Sequence, residues 1–370
     1  MPTLPAYCRP AFSEVDGCFL RFARISGWDA VSFSAIHRET IIATLNLLPQ
    51  AGTTCQALLP LIYHNIRKAD LFAQLSPETQ TFLKEHTYRR IGGDMVNQQW
   101  LQSHLRRLVE KDIPVILLKA AAFSGSLYPK SAPRLGVDLD LLVRCRDFDT
   151  ACALIECDME AVIQSATRLA THDCLFERMF IPRNRPGPTV EIHRGLTNPF
   201  LFAIDEDCLW SASQEHPAYQ SAGIRRLSPE DTLLHLAVHA FRDLDFCTHN
   251  LLDAHEVFCQ WQPDPGVLLA HASQWGARKV LFYLIENLRA VMETPIAPSL
   301  LTELAPSRLA NRINQKILQS RVLTACPDTL FRYRLLQLAS QITFPDHPLN
   351  GIRFQIDYAR TRLVDLVASR

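Results

Sequence analysis

One short run constrains this chain more than any other: Val137-Asp-Leu-Asp-Leu-Leu-Val143. Its apolar frame predicts a β-strand, and successive side chains of a strand point to opposite faces. Asp138, Asp140 and Leu142 then share one face, while Leu139, Leu141 and Val143 share the other. At ~3.3 Å of rise per residue the two carboxylates stand roughly 6–7 Å apart. Two like charges that close inside a fold are costly unless a cation or arginines compensate them. A divalent ion held by paired carboxylates and completed by phosphate oxygens is a common solution. Taken alone, an Asp-x-Asp can equally be a solvated strand end.

A second acid-bearing segment changes the weighting. In Thr189-Val-Glu-Ile-His193, Val190 and Ile192 face one way and Glu191 and His193 the other. If this strand lies beside the first, Glu191 completes a cluster of three carboxylates. Around them the pattern is that of a small α/β unit. Ile113 to Leu118 reads as a buried strand. Asp147-Phe-Asp149 opens a helix to about Val162, with either aspartate able to cap it. Cys174 to Ile181 pairs with Thr189 to His193 across the breaker Pro182-Arg-Asn-Arg-Pro-Gly-Pro188.

Helical periodicity flanks this unit. Leu101, Leu105, Leu108 and Val109 form one apolar helix face. Ser76-Pro77-Glu78 and Ser228-Pro229-Glu230 are helix starts, each with a capping serine, a proline at the first helical position and an early acid. Helices are also expected around Trp275–Met292 and Arg332–Ile342, and Trp100 and Trp275 read as core. The expected organisation is a helical lobe over 1–110, an α/β core over 111–200 and a second helical lobe over 201–370. The fold class is α+β and helix-rich overall, with a small mixed sheet between N- and C-terminal helical lobes.

Composition narrows the function classes. The 370 residues balance 38 Lys+Arg against 38 Asp+Glu, so no global basic field points to nucleic acid. With 48% hydrophobic residues the chain is an ordered globular protein rather than a disordered one. The 11 cysteines show no C-x-x-C spacing, which predicts reduced, mostly buried thiols. No long apolar run and no leader pattern is present, so a cytoplasmic protein without membrane contact is expected.

The ordered set Ile-Pro-Val-Ile-Leu-Leu-Lys119, Leu127-Tyr128-Pro129, Arg134, Asp138-Leu-Asp-Leu-Leu-Val143, Val190-Glu-Ile-His193 and Leu227-Ser-Pro-Glu-Asp-Thr-Leu-Leu-His235-Leu-Ala-Val-His239 resembles the bacterial uncharacterised nucleotidyltransferase family of the DNA-polymerase-β-like superfamily. The resemblance implies a minimal nucleotidyltransferase core in which Asp138, Asp140 and Glu191 are catalytic and hold two Mg²⁺ ions. It implies a nucleoside triphosphate such as ATP as substrate, and a small molecule, peptide or RNA as acceptor. Lys119 and Arg134 are placed to neutralise phosphate charge, Lys as a point charge and Arg as a fork. Ser126, after Gly125, offers an alternative phosphate-binding turn, though the alignment through Lys119-Ala120 is preferred. His193 could touch phosphate or orient the acid, or equally serve a structural role.

One departure supports a second reading. Ala120 stands where the family usually has glycine after the lysine. Its Cβ obstructs the close approach of backbone N–H groups to phosphate. The alternative is therefore a catalytically silent nucleotidyltransferase fold acting as a binding or scaffold protein. His235 and His239 share a helical face as metal ligands do, but without a glutamate between them or a third ligand they read as packed core. Arg178, Arg183, Arg185 and Arg194 surround the hairpin and could funnel a polyanion such as RNA toward the site, although a solvated hairpin is the commoner outcome of such a pattern.

Overall fold

A computed structural model of the chain describes residues 14–26, 35–50, 57–129, 134, 136, 138–162, 176–184, 186–219, 221, 223–242, 249–321 and 330–368. Its centre is a seven-stranded mixed sheet built from β1 (Val115–Leu117), β2 (Asp138–Leu142), β3 (Met159–Ala161), β4 (Glu177–Pro182), β5 (Thr189–His193), β6 (Gln214–Glu215) and β7 (Ile224–Arg226), in the order β3-β4-β5-β2-β1-β7-β6. β2 runs antiparallel to β1 and parallel to β5, and β4 and β5 form the hairpin read from the sequence. Val137, Arg185 and the expected strand start at Cys174 lie outside the described residues.

Helices pack around this sheet. The longest, Pro77–Val109, begins where its capping residues put it: Ser76 Oγ accepts the Thr79 N–H at 3.2 Å, Pro77 follows and Glu78 lies in the first turn. Its buried face carries Leu83, Trp100, Leu101, Leu105 and Leu108, and Trp100 Nε1 donates to the Pro186 carbonyl, tying the helix to the β4–β5 hairpin. After β7, Ser228 Oγ accepts the Asp231 N–H at 3.1 Å and starts the helix Pro229–Arg242. Further helices follow to Pro348–Ala368, including Arg278–Val291 and Leu330–Thr343 in two of the expected places. Tyr283, Leu284 and Ile285 of Arg278–Val291 are fully buried, in the same apolar core as Leu117 and Ile192 of the sheet.

Three details differ from the sequence reading. The helix after β2 spans only Phe148–Ile155, and the chain then turns into β3 instead of continuing to Val162. Met159 is fully buried on the sheet there, and an apolar residue at that spacing serves a strand as well as a helix. β6 and β7 come from the stretch assigned to the second helical lobe, so the sheet extends past residue 200. Ile224-Arg-Arg226 has no alternating apolar signature; it is a strand because β1 offers a parallel edge, with the Val115 N–H on the Gly223 carbonyl at 2.8 Å. Among the described cysteines only Cys152 is buried, while Cys145, Cys157 and Cys208 are exposed, and these are free thiols. No helix among the described residues is long and apolar enough to cross a membrane.

Candidate active site

The parallel register of β2 and β5 sets Asp138 opposite Thr189, Asp140 opposite Glu191 and Leu142 opposite His193. Residues directly opposite on paired strands share a face. Asp138, Asp140, Glu191 and His193 therefore stand on one side of the sheet, while Leu139, Leu141, Val190 and Ile192 fill the core on the other. Asp140, Glu191 and His193 are 3%, 7% and 4% exposed, far below what unpaired charges tolerate. Asp138, at the strand's start, is half-buried.

Compensation comes from two directions. β1 ends at Leu117, and the Leu118 N–H donates to the Asp140 carbonyl at 3.1 Å, closing the chain onto β2. Lys119 follows with φ +48°, a left-handed conformation that lysine rarely adopts, and its Nζ reaches Asp140 Oδ1 at 2.7 Å. From the other side His193 Nε2 lies 3.3 Å from the same Oδ1 and 3.5 Å from Glu191 Oε2. Burial pushes the Asp140 carboxyl upward, but the hydrogen bond from His193 and the Lys119 charge outweigh it and hold the group well below the carboxylate range. Burial likewise pushes His193 down, and its hydrogen bonds to Asp140 and Glu191 reverse this, raising it to about 9. Asp138 goes the other way: burial, then the like charges of Asp140 and Glu191, raise its carboxyl above the ordinary value. The strand thus carries one carboxylate locked in its charged form and one held in electrostatic tension.

One ligand atom each from Asp140, Glu191 and His193 falls within 4.8 Å of the other two, so this buried group could hold a metal ion. A sequence profile described as an uncharacterised nucleotidyltransferase matches residues 53–293. The chain belongs to this family. Neither the curated proteins nor the solved structures contain a match. The matched span runs from before the helix Leu59–Lys68 to just past Arg278–Val291, so it contains the whole sheet and the acid face. Family membership supports nucleotidyl transfer as the general function, with a nucleotide as substrate.

Not every residue singled out from the sequence is directed at the acid face. Arg134 is buried, and its fork holds Asp253 of the helix His249–Glu256, with Nε on Oδ1 and Nη2 on Oδ2, both at 3.0 Å. Asp253 also accepts the Tyr128 hydroxyl at 2.8 Å. The guanidinium expected to neutralise phosphate is thus engaged in a buried bidentate pair, the geometry arginine favours where a carboxylate is available. Ser126 Oγ donates to the Ala122 carbonyl at the end of the helix Lys119–Phe123. Ala120 packs tightly: a Cβ on Gly136 would meet the Ala120 Cβ at 2.7 Å.

His235 and His239 lie on one face of Pro229–Arg242, with ring centroids 6.3 Å apart. Burial lowers both, His235 to about 3, helped by the Lys119 and His193 charges. Neutral, packed imidazoles fit the core reading, and His235 lines a narrow crevice with Lys119 and Thr232 beside the acid face. Arg178 lies over the Phe148 ring at 5.3 Å and 3.7 Å from Asp149, and Arg194 lies over the same ring at 5.7 Å. Sequence reading missed Glu177 and Arg242. Glu177 Oε2 lies 3.5 Å from both His193 Nδ1 and Arg242 Nη1. Glu177 was findable in principle, since a hairpin partner of His193 stands beside it on the same face. Arg242, 49 residues beyond His193 on another element, leaves no such signal.

Proposed function

We propose that the chain transfers a nucleoside monophosphate from a nucleoside triphosphate to a hydroxyl or phosphate acceptor, using Asp138, Asp140 and Glu191 to hold two divalent cations, Mg²⁺ in the simplest reading. The observation that carries this is the β2–β5 register, which sets Glu191 directly opposite Asp140 on the face that Asp138 shares. The donor set fits an ion: the buried carboxylates of Asp140 and Glu191 converge from neighbouring strands, and half-buried Asp138 stands on the same face with its carboxyl pKa raised by burial and by their charges. When bound, such ions clamp the triphosphate and lower the pKa of the acceptor hydroxyl.

The chain's own residues do the rest. Lys119, at the exit of β1, supplies a positive charge beside the phosphates while remaining anchored to Asp140. His193 lies against Asp140 in this structure, with Nε2 3.3 Å from Oδ1. The acceptor oxygen bonds to the α-phosphorus as the bond to the bridging oxygen breaks, a hydroxyl acceptor giving up its proton to solvent, and pyrophosphate departs with the electron pair of the broken bond. A cytoplasmic location fits this substrate.

Titration calorimetry of ATP, CTP, GTP and UTP with Mg²⁺, on the wild type and on Asp138→Ala/Asp140→Ala, tests the proposal. At least one nucleotide should bind the wild type and not the variant; equal or absent binding to both sinks it. One observation favours the silent-scaffold alternative: the Ala120 Cβ, at the position after Lys119 where the resemblance expects glycine, crowds Gly136 so closely that a methyl group at 136 would meet it at 2.7 Å. Nucleotide transfer that disappears with the aspartate pair would exclude that alternative.

A further inference from the structure

The Asp140–Glu191 pair is not the whole of the buried donor set. His193 closes β5 on the same face, with Nε2 turned toward both carboxylates at 3.3 and 3.5 Å. Among the described residues, Asp140, Glu191 and His193 form the one group of three or more such side chains close enough to share an ion. The other ring nitrogen faces β4. Glu177 is the cross-strand partner of His193, and its Oε2 lies 3.5 Å from Nδ1. Both atoms are buried and neither makes a hydrogen bond of ordinary length. A histidine serving only as a counter-ion would be expected to satisfy both N–H groups. Here Nδ1 stands 3.5 Å from that carboxylate without closing a hydrogen bond to it.

Metal-bound imidazoles have this layout, with one nitrogen toward the ion and the other N–H directed at a carboxylate that fixes ring and tautomer. We propose that a divalent cation takes the place of the Nε2 proton, which leaves to solvent, so that His193 Nε2 is itself a ligand, the inner cation seat is Asp140–Glu191–His193 and Glu177 is the positioning residue behind the ring. This rests on the reading that the acid face holds divalent cations. Mg²⁺ favours an all-oxygen shell, whereas an imidazole nitrogen favours first-row transition ions. The seat therefore takes Mn²⁺ ahead of Mg²⁺.

Electron paramagnetic resonance on the full chain titrated with Mn²⁺ alone tests this without relying on turnover. Loss of the free-ion signal measures binding, and echo-envelope modulation detects nitrogen bonded to the bound ion. The wild type should show directly bound ¹⁴N, converted to a ¹⁵N pattern in protein grown on ¹⁵N-histidine, which needs no substitution. Mg²⁺ should displace Mn²⁺ only when in excess. Glu177→Gln should weaken Mn²⁺ binding about 10–100-fold. His193→Gln should lose the modulation, and His193→Glu should regain affinity without it. Mn²⁺ bound without nitrogen modulation, or displaced by equimolar Mg²⁺, overturns the imidazole ligand and leaves the carboxylate reading standing. A wild type that binds Mn²⁺ no better than Asp140→Asn overturns both.

Discussion

Asp140 and Asp138 lie two residues apart on one face of β2, and the fold gives them opposite electrostatic settings. Asp140 is clasped by Lys119 at 2.7 Å and His193 at 3.3 Å, while Asp138 feels chiefly burial and the charges of Asp140 and Glu191. Asp140→Asn should cost about 3–5 kcal/mol, because it strands buried positive charge. Asp138→Asn should raise Tm, because it removes repulsion. Both should abolish transfer. Urea unfolding beside a nucleotide-transfer assay checks the pair, and a destabilised Asp138→Asn would contradict this account.

Lys119 holds its salt bridge from a left-handed backbone, φ +48°. That conformation costs a non-glycine residue roughly 1–2 kcal/mol, and glycine adopts it freely. Lys119→Gly should therefore be about 1 kcal/mol more stable than Lys119→Ala, reversing the usual order within a helix, with nucleotide binding lost in both. Denaturant midpoints of the two variants decide it.

Gly136 and Ala120 are coupled by contact. A methyl group at 136 would sit 2.7 Å from the Ala120 Cβ and 3.1 Å from the Asp138 carbonyl. Gly136→Ala should destabilise by about 1–3 kcal/mol, and Ala120→Gly should restore part of the loss. Additive effects in the double-mutant cycle would show that the two do not meet.

The Arg134–Asp253 pair is almost fully buried, with side-chain exposures of 5% and 1%. Removing one partner strands the other, so Asp253→Ala should cost about 3–5 kcal/mol. The apolar double substitution Arg134→Met/Asp253→Leu should be milder than either single change. If Arg134 were chiefly a phosphate contact, Asp253→Ala would leave stability nearly unchanged; thermal unfolding separates the two outcomes.

His235 gives the acid limb of stability a specific slope. Burial holds its folded-state pKa near 3 against an ordinary 6.5. Its contribution is thus complete above pH 6.5 and is lost progressively as pH falls toward 3, because the unfolded chain takes up the proton first. His235→Gln should unfold with close to one proton fewer across that range. Parallel stability–pH curves for variant and wild type would refute this.

The elements of the candidate site were legible because their signals are local. The alternation in Asp138–Leu142 and Thr189–His193 fixes which residues share a face, and Ser76-Pro77 and Ser228-Pro229 mark helix starts by backbone groups that must be capped. Those signals hold in any fold, since they depend on strand pleat and helix ends alone.

Tertiary structure decided which of these pieces meet. That β5 pairs with β2 in the register placing Glu191 beside Asp140 depends on burying Val190 and Ile192 against a common core, and no single strand encodes its neighbour. β7 exists as a strand because β1 has an edge to pair with. Arg134 turns to Asp253, and Glu177 and Arg242 gather behind His193, because charges set against opposite charge by the packing can come from any distance along the chain, and chain distance carries no information about that.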